Sequence, residues 1–109
     1  MRNRILLLCI ALFVFGVLTA SAQSDSKSQY VRNCSLCHGT DGRAQTSMGK
    51  ALKAADLTSP AVQSKSDAEL NKQIANGKGK MAAYQGILGN KGVEDMVKYV
   101  RTLAPKKQP

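Results

Sequence analysis

Two of the three cysteines and the only histidine of this 109-residue chain lie within five consecutive residues, Cys34-Ser35-Leu36-Cys37-His38. A disulfide between cysteines this close in sequence would close a very short loop, so it would restrict the unfolded chain little. A domain of this size buries only a modest share of its surface and often needs a metal or a cofactor as a staple. The cluster therefore indicates that the fold is built around a bound group.

The cluster has the form C-x-x-C-H, the signature of covalent c-type haem attachment. Two cysteines at this spacing can form thioethers to two edge positions of one porphyrin, and the adjoining His38 can project toward the porphyrin centre and ligate iron. Zinc is disfavoured because a structural site needs four nitrogen or sulfur ligands. A thioredoxin-like redox pair needs a βαβ setting, of which the sequence has no sign. A disulfide with an incidental histidine stays as the alternative.

The first 22 residues have the pattern of a secretory signal. Arg2 and Arg4 precede an uncharged apolar run from Ile5 to Leu18, and Ala20-Ser21-Ala22 supplies a small-residue cleavage pattern. The apolar run is shorter than the roughly 20 residues that a membrane-spanning helix needs. We therefore expect cleavage after Ala22, export to the bacterial periplasm, and one domain over residues 23–109 without stable membrane insertion.

Helical signals, and no strand signals, follow along the rest of the chain. The capping pattern Ser26-Lys27-Ser28-Gln29 predicts a first helix from about Lys27 to Cys37. A second pattern, Ser66-Asp67-Ala68-Glu69, predicts a short helix that Gly77 ends. Apolar residues from Val93 to Leu103 recur at helical spacing and predict a last helix.

With these elements the chain resembles the class I c-type cytochromes, in particular the small bacterial monohaem type related to cytochromes c5, c6 and c555. The matching segments are Cys34-Ser35-Leu36-Cys37-His38-Gly39, Asp56-Leu57-Thr58-Ser59, Asn76-Gly77-Lys78-Gly79-Lys80-Met81 and Tyr99-Val100-Arg101-Thr102-Leu103. The resemblance implies a compact all-α cytochrome c fold of three to five helices around one haem c, with the first and last helices crossing beside it. It implies two thioethers, from Cys34 and Cys37, His38 as proximal iron ligand, and a methionine of the late loop as distal ligand.

Two methionines compete for the distal position. Met81 lies in a glycine-rich loop expected over Gly77–Gly92, which can wrap to the far face of a haem. Met48 follows His38 closely in sequence and is harder to bring to that face. Met96 belongs to the apolar stripe of the last helix, where packing explains it. Met81 is therefore the expected iron ligand, and Met48 the alternative.

The chain departs from the family pattern at two places. Relatives commonly have proline directly after the ligand methionine, where its fixed φ stiffens the loop, whereas Ala82 follows Met81 here. A Pro-Leu pair often offers a carbonyl to the proximal histidine, whereas Gly49-Lys50-Ala51-Leu52 stands in that stretch, where a short turn of helix is expected. We expect a looser iron–sulfur bond and some other acceptor for the second ring nitrogen of His38.

Five further side chains have expected positions. Leu57 is expected to pack on the haem face and Thr58 or Ser59 to reach a propionate, as the resemblance implies. The alternative is a loop with one buried leucine. Tyr99 is expected in the core where the helices cross, and Tyr84 lies either at the haem edge or on the surface.

Methionine and histidine ligation raises the reduction potential of haem iron and leaves no open position for a substrate. The sequence therefore predicts a soluble exported protein that shuttles single electrons between redox partners and is not an enzyme. The alternative is an open-site haem protein, five-coordinate or weakly ligated by Met81, that binds small gases or peroxide. A second alternative is a thiol/disulfide protein without haem that uses Cys34 and Cys37.

The formal net charge of +9, to which Arg2 and Arg4 contribute two units, indicates the kind of partner. A positive ring near a haem edge steers encounter with an acidic docking surface. The candidates for this ring are Lys50, Lys53, Lys65, Lys72, Lys78, Lys80 and Lys91. The alternative is a generally basic, solvated surface. Nucleic acid is disfavoured because no aromatic residues are interleaved with the basic ones and because of the export signal. We expect a monomer.

Overall fold

The structure, a computed structural model, describes residues 20–107, with side chains from residue 25 onward. The expected signal segment lies outside the described residues except for its last three. The helices of the described part are α1 Ala20–Asn33, α2 Ser35–His38, α3 Ser47–Leu52, α4 Pro60–Gln63, α5 Asp67–Asn76 and α6 Gln85–Thr102. Residues 20–107 contain no strand beyond an isolated bridge between Lys78 and Met81. The predicted all-α fold is confirmed, with one-turn helices raising the number above the expected three to five.

The first helix differs from its prediction at both ends. The described part of α1 starts at Ala20, so Ser26 lies inside this helix and does not cap it. Because the helix continues upstream of Ser26, the amides that this residue would cap already have backbone acceptors. At the other end α1 stops at Asn33, and the separate turn α2 carries the second cysteine and His38.

Helices α1 and α6 pack against each other, as expected for the first and last helices. Tyr30 of α1 is fully buried, and its ring centroid lies 4.8 Å from that of Tyr99 on α6. The Tyr30 hydroxyl donates a hydrogen bond of 2.7 Å to the carbonyl oxygen of Gly39. The aromatic pair thus joins the helix crossing to the turn that follows His38.

Helix α5 has the start and the stop that the sequence predicts. The Glu69 N–H donates to the Ser66 hydroxyl at 3.1 Å, and the Ser66 N–H donates to the Glu69 carboxylate at 2.7 Å. The helix ends at Asn76, and Gly77 takes a φ of +73°, which L-residues rarely adopt. One face of α5 packs on α6 in a cluster of Val62, Leu70, Val97 and Val100.

The expected loop over Gly77–Gly92 is shorter than predicted. Helix α6 begins at Gln85, and Gly86 and Gly92 lie within it. At Gly89 the backbone turns to φ 68° and ψ 176°, which kinks α6 between two helical segments. Three of the five glycines therefore belong to a kinked helix, and the loop ends at Tyr84.

Two short helices, α3 and α4, lie in the middle of the chain. Helix α3 covers most of the short turn expected near residues 49–54 and starts at Ser47, because the Thr46 hydroxyl accepts from the Gly49 N–H at 2.9 Å. Helix α4 was not predicted, although Ser59 followed by Pro60 is a typical start, with a capping hydroxyl and proline in the first helical position.

Candidate functional site

One side of the molecule holds a cavity of about 600 Å³, within the size range of pockets that bury organic ligands. The end of α1 and the turn α2 line it on one side. The loop after α3, parts of α4 and α5, and the loop between α5 and α6 form the rest of the wall. The cavity is therefore lined both by the C-x-x-C-H segment and by the loop that carries Met81.

Cys34, Cys37 and His38 all line this cavity. Both cysteines are partly buried free thiols. Burial, and to a smaller extent the neighbouring Cys37, raises the pKa of the Cys34 thiol to about 11. A reactive redox pair depends on a lowered thiol pKa, so this environment disfavours the thiol/disulfide alternative.

The backbone orients His38. Its Nδ1 atom lies 2.9 Å from the carbonyl oxygen of Ala55. A carbonyl only accepts, so Nδ1–H is the donor and Nε2 is the ring nitrogen left for a ligand. Metal-ligating histidines typically make this hydrogen bond through their other ring nitrogen. Ala55 is the acceptor that the sequence left open, and no side-chain pattern could have found it because the acceptor is a main-chain group.

The helix α3 holds this acceptor in place through close contact with α2. Gly49 is buried, and a Cβ atom there would stand 2.1 Å from the Cys37 carbonyl oxygen. The Thr46 hydroxyl donates to the Leu36 carbonyl oxygen at 2.7 Å. Lys53 then ends α3 in the left-handed conformation, with a φ of 54°. Together these contacts fix the path of the chain beside the histidine.

Met81 also lines the cavity, on the loop between α5 and α6. Its N–H donates to the Lys78 carbonyl at 3.0 Å, and its own carbonyl accepts from the Lys78 N–H at 3.1 Å, which closes a tight turn. A Cβ atom at Gly77 would stand 2.4 Å from the Met81 carbonyl oxygen. Only glycine therefore lets the chain leave α5 and form this turn.

The structure does not bring the remaining expected residues into the cavity wall. Met48 is 42% exposed on α3 and is not among the lining residues. Leu57 is partly buried and packs against the core cluster of Val62, Leu70, Val97 and Val100. The hydroxyls of Thr58 and Ser59 donate to Asp56 at 2.7 Å each, so they stabilise a local turn.

Tyr84 is partly buried and lines the cavity. Its hydroxyl donates to the Asn33 carbonyl oxygen at 3.0 Å, and its N–H donates to the Ile74 carbonyl oxygen at 3.0 Å. Burial raises the pKa of its phenol, and the nearby Cys34 and Cys37 add to this effect.

Four of the seven candidate lysines, Lys53, Lys65, Lys78 and Lys80, line the cavity, and no carboxylate does. Lys91 instead pairs with Asp95 on the surface of α6, at 2.8 Å. The cavity wall is therefore positively charged.

The donors of the cavity fit a c-type haem. They comprise two thiols that can form thioethers, one imidazole whose Nδ1 is bonded to the backbone, and one thioether sulfur. Within the described part of the chain no three His, Cys, Asp or Glu side chains could together hold a metal ion, so a zinc site of protein ligands has no support there.

Comparisons with known proteins agree with this assignment. The family described as cytochrome C oxidase, cbb3-type, subunit III matches residues 21–100. Cytochrome c6 of Nostoc sp. (strain PCC 7120) is 33% identical over 99 residues, which is 88% of this chain and 86% of that protein. Cytochrome c6 of Synechocystis sp. (strain PCC 6803) is 33% identical over 87 residues, which is 80% of this chain and 70% of that protein.

The fold has a solved relative as well. The KustC0563 c-type cytochrome superposes with a TM-score of 0.68 at 28% identity, over 73% of this chain and 98% of that one. The resemblance stated from the motifs is confirmed. The chain therefore belongs to the small class I c-type cytochromes, which carry a covalently bound haem and transfer electrons rather than catalyse a reaction.

Proposed function

We propose that this cytochrome carries one haem, bound through Cys34 and Cys37, with His38 and Met81 as the two iron ligands. The observation that supports this most strongly is that all four side chains line the same cavity, although Met81 lies far from the C-x-x-C-H motif in sequence. When bound, the haem supplies reversible uptake of a single electron. With His38 and Met81 as its ligands, the iron would offer no open position to a substrate.

The protein groups have separate tasks in this proposal. The Nδ1–H of His38, held by the Ala55 carbonyl, leaves Nε2 free to ligate and fixes the plane of the ring. The soft thioether of Met81 favours the ferrous state and so raises the potential. The turn that begins at Lys78 holds the backbone of Met81 in one conformation.

A pair of methionine variants tests the ligand assignment. The chain is expressed in an exporting host with haem maturation machinery, and acid–acetone extraction is expected to leave the haem on the protein. The ferric protein is expected to show the weak far-red band of sulfur-bound iron. Met81→Ala should abolish this band, whereas Met48→Ala, the matched control, should keep it.

Other results would point to the alternatives. Retained haem without the far-red band in the wild type, together with rapid carbon monoxide binding by the reduced protein, would support the open-site protein. A colourless product would support the alternative of a thiol/disulfide protein without haem that uses Cys34 and Cys37.

We further propose that the protein acts as a monomer and meets its redox partners at the opening of the cavity, which Lys53, Lys65, Lys78 and Lys80 line. Partners that dock there are expected to carry acidic surfaces. The support is the set of cavity lysines and the absence of carboxylates among the lining residues. Such a charge arrangement steers oppositely charged partners and is screened by salt.

Oxidation of the ferrous protein by anionic ferricyanide tests this charge at the site of electron exchange. We expect the rate to fall several-fold as salt rises, and to fall at low salt in the double variant Lys78→Glu/Lys80→Glu. Lys27→Glu, an exposed change on α1 away from the cavity, is the control. Rates that stay flat with salt, or that fall equally in both variants, would contradict steering by the lysines at the opening of the cavity.

We also propose export to the periplasm with cleavage after Ala22. The described helices include none that is long and apolar enough to cross a membrane. The mass of the purified haem protein tests the cleavage, and the expected N-terminus is Gln23. A mass that still includes Met1–Ala22 would contradict it.

A further inference from the structure

The two residues that follow Met81, Ala82 and Ala83, have short exposed side chains that give the loop little packing. Where relatives commonly have proline, this chain has Ala82 and then Ala83, and both are exposed. The hydrogen-bonded turn from Lys78 to Met81 is internal to the loop. It sets the shape of the loop but does not attach the loop to the opposite wall of the cavity.

Tyr84 supplies that attachment. Its backbone N–H donates to the Ile74 carbonyl in α5, which ties the end of the loop to the helix where the loop began. Its hydroxyl reaches across to the Asn33 carbonyl at the end of α1, 51 residues away in sequence. Asn33 directly precedes Cys34. This hydrogen bond therefore joins the loop between α5 and α6, residues 77–84 (the methionine loop), to the segment that carries the cysteines.

We propose that Tyr84 is a positioning residue for the distal ligand. Its hydroxyl, bound to the Asn33 carbonyl, ties the methionine loop to the segment that carries Cys34 and Cys37, and so keeps the Met81 sulfur on the iron. This bond performs the task that a proline after the methionine performs in relatives. The inference rests on the proposed function, since it presupposes Met81 as ligand.

The hydroxyl can be separated from the ring. Tyr84→Phe keeps the aromatic ring in the cavity wall and removes only the hydrogen bond to Asn33. Tyr30→Phe is the matched control, because it also removes one hydroxyl bond to a backbone carbonyl, that of Gly39, but in the helix crossing. A merely structural contribution would lower the stability of both variants and leave the iron ligation of both unchanged.

Imidazole, which competes with the Met81 sulfur for ferric iron, is the probe. We expect Tyr84→Phe to bind imidazole about two- to tenfold more tightly than the wild type, the range that follows from the net worth of one hydrogen bond. Its far-red band should be weaker at the same helix content by circular dichroism. Tyr30→Phe should match the wild type in both measurements.

The outcomes separate the two proposals. A wild-type protein with bound haem but no far-red band would overturn Met81 ligation, and this inference with it. A wild type that has the band, with Tyr84→Phe equal to it in imidazole affinity and band intensity, would overturn the role of Tyr84 alone. An equal gain of imidazole affinity in Tyr30→Phe would also overturn it, since the effect would then be general loosening.

Discussion

Two glycines of the methionine loop allow a controlled test of how tightly this loop is built. Gly77 and Gly79 both have positive φ, +73° and +57°. An added Cβ atom would stand 2.4 Å from the Met81 carbonyl oxygen and 2.8 Å from the Ala82 carbonyl carbon at Gly77, whereas it would meet no atom within 4 Å at Gly79. Alanine at the two positions therefore differs mainly in crowding.

The magnitudes follow from these contacts. At Gly79 alanine costs the left-handed backbone strain, about 1–2 kcal/mol, reduced by the lower entropy of the unfolded chain. At Gly77 the φ of 73° with ψ of 174° lies in a region that is nearly exclusive to glycine, which costs about 1–3 kcal/mol. The clash is with backbone atoms that cannot rotate away, and overpacking of this kind adds about 1–3 kcal/mol. We expect Gly77→Ala to be the more destabilising variant by about 2 kcal/mol or more.

Urea unfolding of the haem-bound protein, followed by circular dichroism, measures both variants. Gly77→Ala should also lose far-red band intensity in the folded state, because the displaced backbone is that of Met81. If the two alanines cost the same free energy of unfolding, or if Gly77→Ala keeps a full far-red band, the argument that crowding at Gly77 sets the position of Met81 is wrong.

Three further predictions concern other contacts. Tyr30→Phe removes the hydroxyl bond to the Gly39 carbonyl, which still accepts from the Gly42 N–H at 3.2 Å. This change should lower the free energy of unfolding by about 1 kcal/mol in urea, and unchanged stability would contradict it. Gly49→Ala places a methyl group 2.1 Å from the Cys37 carbonyl oxygen. It should lower the free energy of unfolding by more than about 3 kcal/mol or abolish the folded haem protein. A normal yield with a native circular dichroism spectrum would show that α3 can move. Asp56→Ala removes a carboxylate that accepts two hydrogen bonds and should cost about 1 kcal/mol near neutral pH. Because those bonds lower the pKa of Asp56, its contribution is complete above about pH 5 and is lost as the pH falls through the lowered value, so variant and wild type should converge in acid; a gap that persists there refutes the account.

The parts of the fold that depend on local patterns could be predicted from the sequence. Both ends of α5 followed from a reciprocal cap and a terminal glycine, since these signals act within one turn of helix. The apolar spacing of α6 identified Met96 as a packing residue, and its side chain is 1% exposed. The cysteines and His38 needed no tertiary information because they are consecutive in a motif.

Other parts depend on contacts between distant residues or on the conformation of single glycines. Composition alone did not distinguish Gly86 and Gly92, which are helical, from Gly77, which is not. The packing of Leu57 on a core whose members come from three helices could not be read from its local sequence. No residue pattern indicates that Tyr84 would meet Asn33, because the pairing exists only once the chain has folded back.

The partner of His38 is an oxygen of the main chain, and this decides which mutations would disturb the proposed iron ligand. Every amino acid at position 55 brings the same carbonyl, and the Ala55 side chain is exposed, so point substitutions there leave the tautomer of the imidazole untouched. A change in the number of residues between α3 and Asp56 would withdraw the oxygen altogether. Insertions and deletions in this segment are therefore the changes expected to disturb the orientation of His38.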